Sequence, residues 1–444
     1  MRLRNVKWLA LSLASIGIFI HPVYAQGGEG KPVAPAAAAA AAPFSDADVH
    51  DFLEKVRHAE TISDPLQRCI AYPNPPGSHW LPTTARAYCV YQLQTFMSYE
   101  DIKASIETGQ AAKLDAYLRN ALQKQLTSAD SASLLDHIYM THFSNASSEA
   151  LTLIEAWNRQ QPKSAFALTA RGRTYLERAF QDRGGRYASE TPRANFMRMD
   201  RWLQLARKDL EQATAIDARM IPAYSAMIAI GMLQGDDAYA QQAARKALVA
   251  QPGNYFIYSR RILMAEPKWG GSIGKMKRIV REAQRHTKGN ELLKLLLPVP
   301  AAYAANLTGC DCDDPAQLNA YREVLDQMPG VEVLAGAASA LDKARQAKLA
   351  VIYQSEVLRF SPEDDILRAK RISNLIAVGE KTWGKSEADE LLAKPSVGPA
   401  TVSALIGVYT SIGDKEGVKK CFAKMDELRP KGLVVNPSPG RTTP

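Results

Sequence analysis

Cysteine and long apolar segments are both scarce in this chain. It has 5 cysteines in 444 residues, too few for a disulfide-dense miniprotein. After residue 20 the longest apolar stretch, residues 292–305, is interrupted by Lys294, Pro298 and Pro300, so we expect no later segment to span a bilayer. With 46% hydrophobic and 23% charged residues, the composition is ordinary for a globular protein and excludes collagen-like, wholly disordered and polytopic membrane classes.

Motifs that carry known chemistry are also missing. No glycine-rich phosphate loop, nucleophile elbow or paired metal-binding motif occurs in the sequence. Among the 7 histidines, His137 and His142 would diverge by about 140° on a helix, which is wrong for joint metal ligation. We therefore assign no catalytic residue, metal or cofactor, and we expect a protein that is not an enzyme.

The positive charge is modest, and part of it belongs to the amino end. The formal charge is +9, and Arg2, Arg4 and Lys7 lie in a segment without acidic residues that we expect to be removed, which leaves +6. A balance of this size does not by itself indicate nucleic acid, so no nucleic-acid partner is expected.

The first 25 residues have the pattern of a secretory signal peptide. A basic start is followed by an apolar run at residues 8–20, and Val23 and Ala25 occupy the two positions that signal peptidase reads. As a helix this run would span only about 20 Å of a bilayer core about 30 Å thick, which disfavours an uncleaved anchor. We expect cleavage after Ala25, a periplasmic or secreted product, and no integral membrane segment after cleavage.

Both ends of the remaining chain are rich in proline, glycine or alanine. Residues 26–43 include seven consecutive alanines between Pro35 and Pro43 and are expected to form a flexible linker. Residues 431–444 are expected to form a flexible tail. Between these ends we expect an N-terminal helical region at 44–126, repeats at 127–300 and further helical repeats at 301–430.

The central chain is helical in pattern and repeats itself every 34 residues. Apolar or small residues at i, i+4 and i+7, the spacing of one helix face, recur in four places. The four sets are Ala150, Ile154 and Trp157; Ala206, Leu210 and Ala213; Ala240, Ala244 and Ala247; and Val418, Phe422 and Met425. The period and the residue types resemble the tetratricopeptide (TPR) repeat. That resemblance implies an all-α solenoid of TPR-like helical hairpins, preceded by the helical N-terminal region.

Two departures from the period mark insertions. The second set follows the first by 56 residues, 22 more than one period, which places an insertion at 181–202. A second insertion of two residues falls at 267–272, whose sequence is Pro-Lys-Trp-Gly-Gly-Ser. Insertions in a stacked array leave on one face, which is often where partners bind.

Three prolines are expected to mark helix starts. Asp64, Asp314 and Ser361 each precede a proline, and a capping side chain followed by proline is typical of the first helical position. No run alternates apolar and polar residues clearly enough to require a sheet.

Three short sequences carry a further resemblance. They are Ala170-Arg171-Gly172-Arg173, Arg183-Gly184-Gly185-Arg186 and the Pro-Lys-Trp-Gly-Gly-Ser of residues 267–272. Together they resemble an uncharacterised bacterial domain-of-unknown-function family with a TPR-like core, over about residues 134–297. The resemblance implies a scaffold and supplies no catalytic residue.

The cysteines fall into two groups. Cys69 and Cys89 enclose a proline-rich loop between helical stretches, and in an oxidising compartment we expect a disulfide that stabilises by about 3 kcal/mol. Two buried thiols are the alternative. Cys310 and Cys312 are flanked by carboxylates that would raise thiol pKa values. A structural role is therefore favoured over redox catalysis, with either a Cys310–Cys312 bridge or a bridge from one of them to a buried Cys421.

The insertion at 181–202 is the best candidate for partner binding. Its arginines are interleaved with aromatic residues, a combination that suits acidic peptides because guanidinium pairs with carboxylates and stacks on rings. The assigned partner-binding residues are Arg183, Arg186, Tyr187, Arg193, Arg198 and Trp202, together with Trp269 of the second insertion. The alternatives are a solvated loop with structural ion pairs and, for Trp269, a residue that fills the gap made by the insertion.

These features favour an exported, non-enzymatic TPR-like scaffold or adaptor that binds a protein or peptide partner in the bacterial envelope. The alternative is an exported enzyme or toxin-like factor acting on cell-wall or peptide substrates, with its active site in the N-terminal helices or the insertion.

Overall fold

A computed structural model describes residues 44–186, 188–305 and 315–429. Within these residues the fold is all-α, with 21 α-helices and no β-strand, which confirms the predicted fold class. The expected signal peptide, linker and tail, and also Tyr187, Cys310, Cys312 and Asp314, lie outside the described residues. In the part that is described, no helix is both long and apolar enough to cross a membrane.

The helices follow one another closely along the chain. In order they are α1 (Asp46–Glu60), α2 (Pro65–Ala71), α3 (Pro82–Gln92), α4 (Tyr99–Glu107), α5 (Ala111–Thr127), α6 (Leu134–His142), α7 (Ser148–Gln160), α8 (Ala165–Arg183), α9 (Arg193–Ile216), α10 (Ile221–Gln234), α11 (Asp237–Ala250), α12 (Tyr255–Met264), α13 (Ile273–Gln284), α14 (Val299–Ala304), α15 (Pro315–Asp326), α16 (Val331–Lys343), α17 (Ala347–Phe360), α18 (Asp365–Ala377), α19 (Lys381–Ala393), α20 (Pro399–Ser411) and α21 (Lys415–Leu428). Short 3₁₀-helices lie at Ala129–Ser131, Ala188–Glu190, Pro267–Trp269 and Glu291–Leu296.

The described chain divides into two compact units. The first contains Asp64–Ile70 and Gly77–Gly330, and the second contains residues 44–63, Ala71–Pro76 and the chain from Val331 onward. The segment 44–126, which the sequence suggests as one N-terminal region, is therefore shared, with α1 in the second unit and α3 to α5 in the first.

Helices of the first unit pack in consecutive pairs, including α8 with α9, α10 with α11, and α12 with α13. Helices α9, α11 and α13 end at Ile216, Ala250 and Gln284, so the ends are 34 residues apart. The sets that the sequence identifies on α7, α9 and α11 are all buried. The i, i+4 and i+7 spacing places each set on one helix face, and that face packs against the neighbouring helices.

Helix α10 lies at the centre of the first unit. Every residue from Ile221 to Gly231 is buried, and the helix packs against α6, α8, α9, α11 and α12. Because neighbours cover it on all sides, its side chains are apolar or small all round. Gly231 has no room for a side chain, since a Cβ there would lie 2.7 Å from the Cβ of Ala240 and 2.8 Å from the carbonyl oxygen of Asp236.

The predicted disulfide between Cys69 and Cys89 is present, and both cysteines are buried. The loop that it closes packs against the end of α15. There the Trp80 indole donates a 2.8 Å hydrogen bond to the carbonyl of Leu325, and Nδ1 of His79 lies 2.8 Å from the Asp326 carboxylate. Both the covalent bond and this packing fix the loop.

A buried polar network joins α5, α6 and the start of α12. The side-chain amide oxygen of Gln125 accepts hydrogen bonds from the backbone N–H groups of Leu135 (2.7 Å) and Asp136 (3.1 Å). The Asp136 carboxylate accepts hydrogen bonds from the Gln125 amide (2.9 Å) and from the Asn254 amide (2.6 Å). Burial nevertheless raises the pKa of Asp136 to about 7. Because the network is enclosed, its role is to fix the packing of these helices.

The second unit contains three hairpins with the same 34-residue period. Their first helices, α16, α18 and α20, begin at Val331, Asp365 and Pro399, and their second helices begin at Ala347, Lys381 and Lys415. The apolar pattern of the sequence reveals only the last hairpin. In the other two, buried positions are occupied by polar or charged residues, among them Gln354, Glu356, Arg371 and Glu387.

The prediction that Ser361 caps a helix is wrong. Helix α17 ends at Phe360, and α18 begins only at Asp365. The true cap is Asp364, whose carboxylate accepts a 2.9 Å hydrogen bond from the backbone N–H of Leu367. By contrast, Asp64 caps α2 as predicted.

One residue of the predicted buried set on α21 is exposed, whereas Val418 and Met425 pack against the core as expected. Phe422 is 57% exposed, whereas Gly417 and Cys421 are buried. Gly417 lets Tyr409 pack directly on the helix backbone, because a Cβ at that position would lie 2.2 Å from the ring. This contact centres the packed face on residues 417 and 421. The Cys421 thiol is free and buried, and burial raises its pKa to about 11.

A buried ionic network joins α1, α18 and α19 in the second unit. The Arg371 side chain is fully buried and donates hydrogen bonds to both oxygens of Glu60, at 2.7 and 3.2 Å, and to Glu387. Arg368 also donates to Glu387 at 2.7 Å, and the Tyr72 hydroxyl donates to Glu60 at 2.6 Å. Two guanidinium groups therefore face two carboxylates, and their charges balance.

Candidate functional site

The predicted insertion at 181–202 forms the connected end of the hairpin made by α8 and α9. These helices have 19 and 24 residues, against 14 each for α10 and α11. The insertion therefore lengthens both helices and leaves only residues 184–192 between them. We call residues 178–205 the hairpin tip.

Below the tip, α8 and α9 are held by close packing and by one ion pair. Gly172 faces Leu210, where a Cβ would lie 2.7 Å from the leucine Cγ. Arg171 donates hydrogen bonds of 2.6 and 2.8 Å to the Asp209 carboxylate, and Arg173 is buried in the core. The sequence Ala-Arg-Gly-Arg at 170–173 thus serves the packing of the hairpin.

Three of the predicted binding residues are engaged inside the tip. The Asp182 carboxylate accepts a 2.8 Å hydrogen bond from the Trp202 indole and lies 3.4 Å from the guanidinium of Arg198. The guanidinium of Arg183 lies over the Phe196 ring, 5.9 Å from its centre. These contacts tie the last turn of α8 to the first turns of α9, and they match the structural alternative for the insertion.

The Trp202 ring is also covered by α8. The Tyr175 ring stacks on it at 5.7 Å, and the Arg178 guanidinium lies 5.1 Å from its centre. Both ring contacts come from within the hairpin, so Trp202 has a clear structural role there.

Two other predicted residues, Arg186 and Arg193, face solvent. Both are exposed, and neither side chain forms a hydrogen bond or ion pair within the described chain. They are the part of the predicted arginine set that is available to an external carboxylate.

An exposed stripe runs along the solvent side of α9. It consists of Arg193, Met197, Arg201 and Leu205, which are spaced four residues apart and therefore share one helix face. All four are exposed, Met197 by 54%, and Arg201, like Arg193, has no carboxylate partner within the described residues. We call these four residues the α9 stripe.

Composition alone does not reveal the α9 stripe. Arginine and methionine become neighbours only because α9 is one continuous helix, and Leu205 lies beyond the predicted insertion. The i, i+4 spacing from Arg193 onward is the signal that could have located Met197 and Leu205.

Residues 267–272 make a tight connection between α12 and α13. Gly270 has φ +78°, and a Cβ on Gly271 would lie 2.1 Å from the carbonyl oxygen of Ala265, so only glycine fits both positions. Trp269 ends the 3₁₀ turn and remains 41% exposed.

His137 and His142 pack among aromatic rings. His137 stacks on Tyr91 at 4.5 Å, and His142 meets the edge of Phe96 at 5.3 Å while its Nε2 lies 2.9 Å from the Met97 carbonyl. Burial lowers the pKa of both imidazoles, that of His137 to about 4. Among the described residues, no group of three His, Cys, Asp or Glu side chains is placed to hold a metal ion.

The fold and the hairpin tip define an all-α, solenoid-like protein with an extended surface hairpin. Residues 98–243 match the profile of a protein family described as a domain of unknown function, DUF4034. The match begins at Ser98, the cap of α4, and ends within α11, so it includes the whole α8–α9 hairpin. Residues 267–272 lie outside it, so the match supports the resemblance to a domain of unknown function but not that motif. No curated protein matches the chain.

Proposed function

We propose that this protein is an exported, non-enzymatic helical-repeat scaffold that binds an acidic segment of a protein partner in the cell envelope. The observation that carries the proposal is the α9 stripe. Its two arginines have no carboxylate partner within the described chain, and they alternate with exposed Met197 and Leu205.

The spacing of the α9 stripe suits an amphipathic helix. Four residues of helix rise about 6 Å, so Arg193 and Arg201 are about 12 Å apart along the axis. A partner helix with carboxylates two turns apart and an apolar residue between them would present complementary groups at the same interval. Arginine can pair bidentately with each carboxylate, and Met197 can adapt its unbranched side chain to an apolar surface.

Two further features support the export and repeat parts of the proposal. Residues 1–25 have the basic, apolar and small-residue sections of a signal peptide. The ends of α9, α11 and α13, and the starts of α17, α19 and α21, are each spaced by 34 residues, the period of TPR hairpins. Stacked hairpins of this kind commonly present extended surfaces for partners.

Site-specific cross-linking in intact cells tests the proposal. A photo-reactive residue replaces Met197, and cross-linked products are identified by mass spectrometry. The double variant Arg193→Glu/Arg201→Glu should reduce the yield of the specific product by roughly tenfold, because attraction to the acidic partner becomes repulsion. The matched control Lys419→Glu/Lys420→Glu changes the net charge equally at exposed positions of α21 and should leave the yield unchanged.

The recovered partner must then account for the binding. Its cross-linked segment, made as a peptide, should bind the purified protein with an affinity that falls as salt is added. A yield at position 197 no greater than at an exposed site on α21, or equal yields from the arginine variant and the control, would contradict the proposal.

A further inference from the structure

A second set of exposed cations lies on α11 and α13, not on the helix that carries the α9 stripe. It consists of Arg245 and Lys246 of α11, Lys277, Arg278 and Arg281 of α13, and Arg285 at the carboxyl end of α13. All six are exposed, and none of these side chains forms a hydrogen bond or ion pair within the described chain. We call these six residues the cationic face.

The cationic face is not neutralised by α13 itself. Glu282 is the only acidic residue of this helix, and it accepts hydrogen bonds of 2.7 and 2.8 Å from Arg261 of α12. Lys277 and Arg281, and likewise Arg281 and Arg285, are four residues apart, where like charges repel. The helix therefore presents positive charge that an external anion would stabilise.

Exposed apolar groups accompany these cations. Leu248 of α11 packs against the same core cluster as Met276 and Val280 of α13, so both helices border this cluster. Val249, the next residue, is 84% exposed, and the partly exposed Trp269 lies just before the amino end of α13. A surface that combines cations with an exposed valine and tryptophan is typical of contact with the interfacial layer of a membrane.

We propose that the cationic face binds the surface of an anionic phospholipid bilayer. Six exposed cations with no ion pair in the described chain are complementary in charge to the repeated phosphates of an anionic lipid surface. Each lysine or arginine near such a plane adds to the attraction, and Trp269 and Val249 would contact the headgroup layer. This surface is separate from the α9 stripe and does not depend on the protein partner proposed above.

Vesicle sedimentation tests the inference. The protein is purified as the cell makes it, with its amino end defined by intact mass, and is mixed with vesicles of phosphatidylglycerol and phosphatidylcholine or of phosphatidylcholine alone. Binding should be at least about tenfold stronger to the anionic vesicles and should disappear in high salt.

Two sets of variants locate the contact. Arg278→Glu/Arg281→Glu should weaken binding to anionic vesicles by at least about tenfold, because each reversal replaces attraction with repulsion. Arg245→Gln/Lys246→Gln should weaken it less, since it only removes charge. The control Lys419→Glu/Lys420→Glu should bind like the parent protein. Circular dichroism confirms that each variant is folded.

Three results would overturn the inference. Equal binding of the parent protein to both kinds of vesicle would show that lipid charge is not recognised. Unchanged binding of the Arg278→Glu/Arg281→Glu variant would place the contact elsewhere. A DNA duplex that displaces the protein from anionic vesicles and binds it more tightly would identify a nucleic-acid surface instead.

Discussion

Replacing Arg371 with methionine should destabilise the second unit more than any surface change. Arg371 donates hydrogen bonds to Glu60 at 2.7 and 3.2 Å and to Glu387, and it lies 5.3 Å from the centre of the Trp383 ring. Without it, the buried Glu387 carboxylate and the partly buried Glu60 carboxylate face a single guanidinium, that of Arg368. Methionine fills much of the volume, so the main change is the loss of the positive charge.

The expected size follows from the burial of these groups. Removing one partner of a buried ion pair destabilises by about 3–5 kcal/mol, because it leaves an uncompensated buried charge. At 1.36 kcal/mol per factor of ten, amide hydrogen exchange of α18 should become about 10² to 10⁴ times faster. Hydrogen-exchange mass spectrometry measures this directly, and denaturant unfolding gives the free energy. The control is Lys370→Met, the exposed neighbour on the same helix.

A double variant separates charge imbalance from lost packing. The double variant Glu60→Gln/Arg371→Met leaves one ion pair, Glu387 with Arg368, and no excess charge. Part of the stability lost in Arg371→Met should therefore return. Two results would contradict this account. One is that Arg371→Met lowers the free energy of unfolding no more than Lys370→Met does. The other is that the double variant loses as much stability as the two single variants, Glu60→Gln and Arg371→Met, lose in sum.

The same network predicts an acid dependence. Burial alone would raise the pKa of Glu60, but the charge and hydrogen bonds of Arg371 outweigh burial and hold the pKa below its ordinary value. A carboxyl with a lowered pKa stabilises the fold above the unfolded value of about 4.3 and loses that contribution as pH falls further. Glu60→Gln should therefore flatten the loss of stability in acid.

Three other changes should alter stability in defined ways. Asp136→Asn should remove part of the pH dependence of stability between about pH 4 and 7. The pKa of this buried carboxyl is raised to about 7, so the stability of the parent protein falls as pH rises through this window. Thermal melts of both proteins across this range test the sign, and parallel curves would contradict it. Gly271→Ala should destabilise by about 1–3 kcal/mol through a backbone clash, whereas Gly274→Ala on exposed α13 should not. Urea unfolding compares the two, and equal midpoints would refute the clash. Replacing Cys69 and Cys89 with serine should lower the unfolding free energy by about 3 kcal/mol; an unchanged value would mean that the cross-link adds no stability.

Much of the fold could be predicted from local patterns. The sets on α7, α9 and α11 are buried as expected, and the helix after Asp64 begins at Pro65. These features depend on helical periodicity and capping, which involve residues within a few positions of one another. The disulfide was also predictable, because two cysteines flank one proline-rich loop.

Local patterns do not predict the structure where a distant contact sets the buried face of a helix. Phe422 fits the spacing of the buried set, yet the packing of Tyr409 on Gly417 centres the buried face one residue earlier. The hairpins of α16 to α19 were hidden because Gln354 and Glu387 occupy buried positions. Their polarity is compensated by partners that the local sequence does not contain.

At the hairpin tip, too, the sequence indicates which arginines are present, and only the structure shows which of them have partners. The sequence places Arg183, Arg198 and Arg193 in one basic, aromatic-rich segment, but it does not indicate which of them are already engaged. The structure pairs Arg198 with Asp182 and sets Arg183 over a ring, while Arg193 stays exposed on the α9 stripe.

By itself, the sequence predicted an all-α protein, the 34-residue spacing of several of its helices, and the disulfide between Cys69 and Cys89. These properties arise from hydrogen bonds and apolar spacing within one or two turns of helix. Only the tertiary structure decided which charges are balanced and which remain free. Glu60 and Arg371 are 311 positions apart, and only the tertiary fold of the second unit brings them within hydrogen-bonding distance. The cations of α13 form no ion pair within the described chain, and the one carboxylate of this helix, Glu282, is engaged by Arg261 of α12.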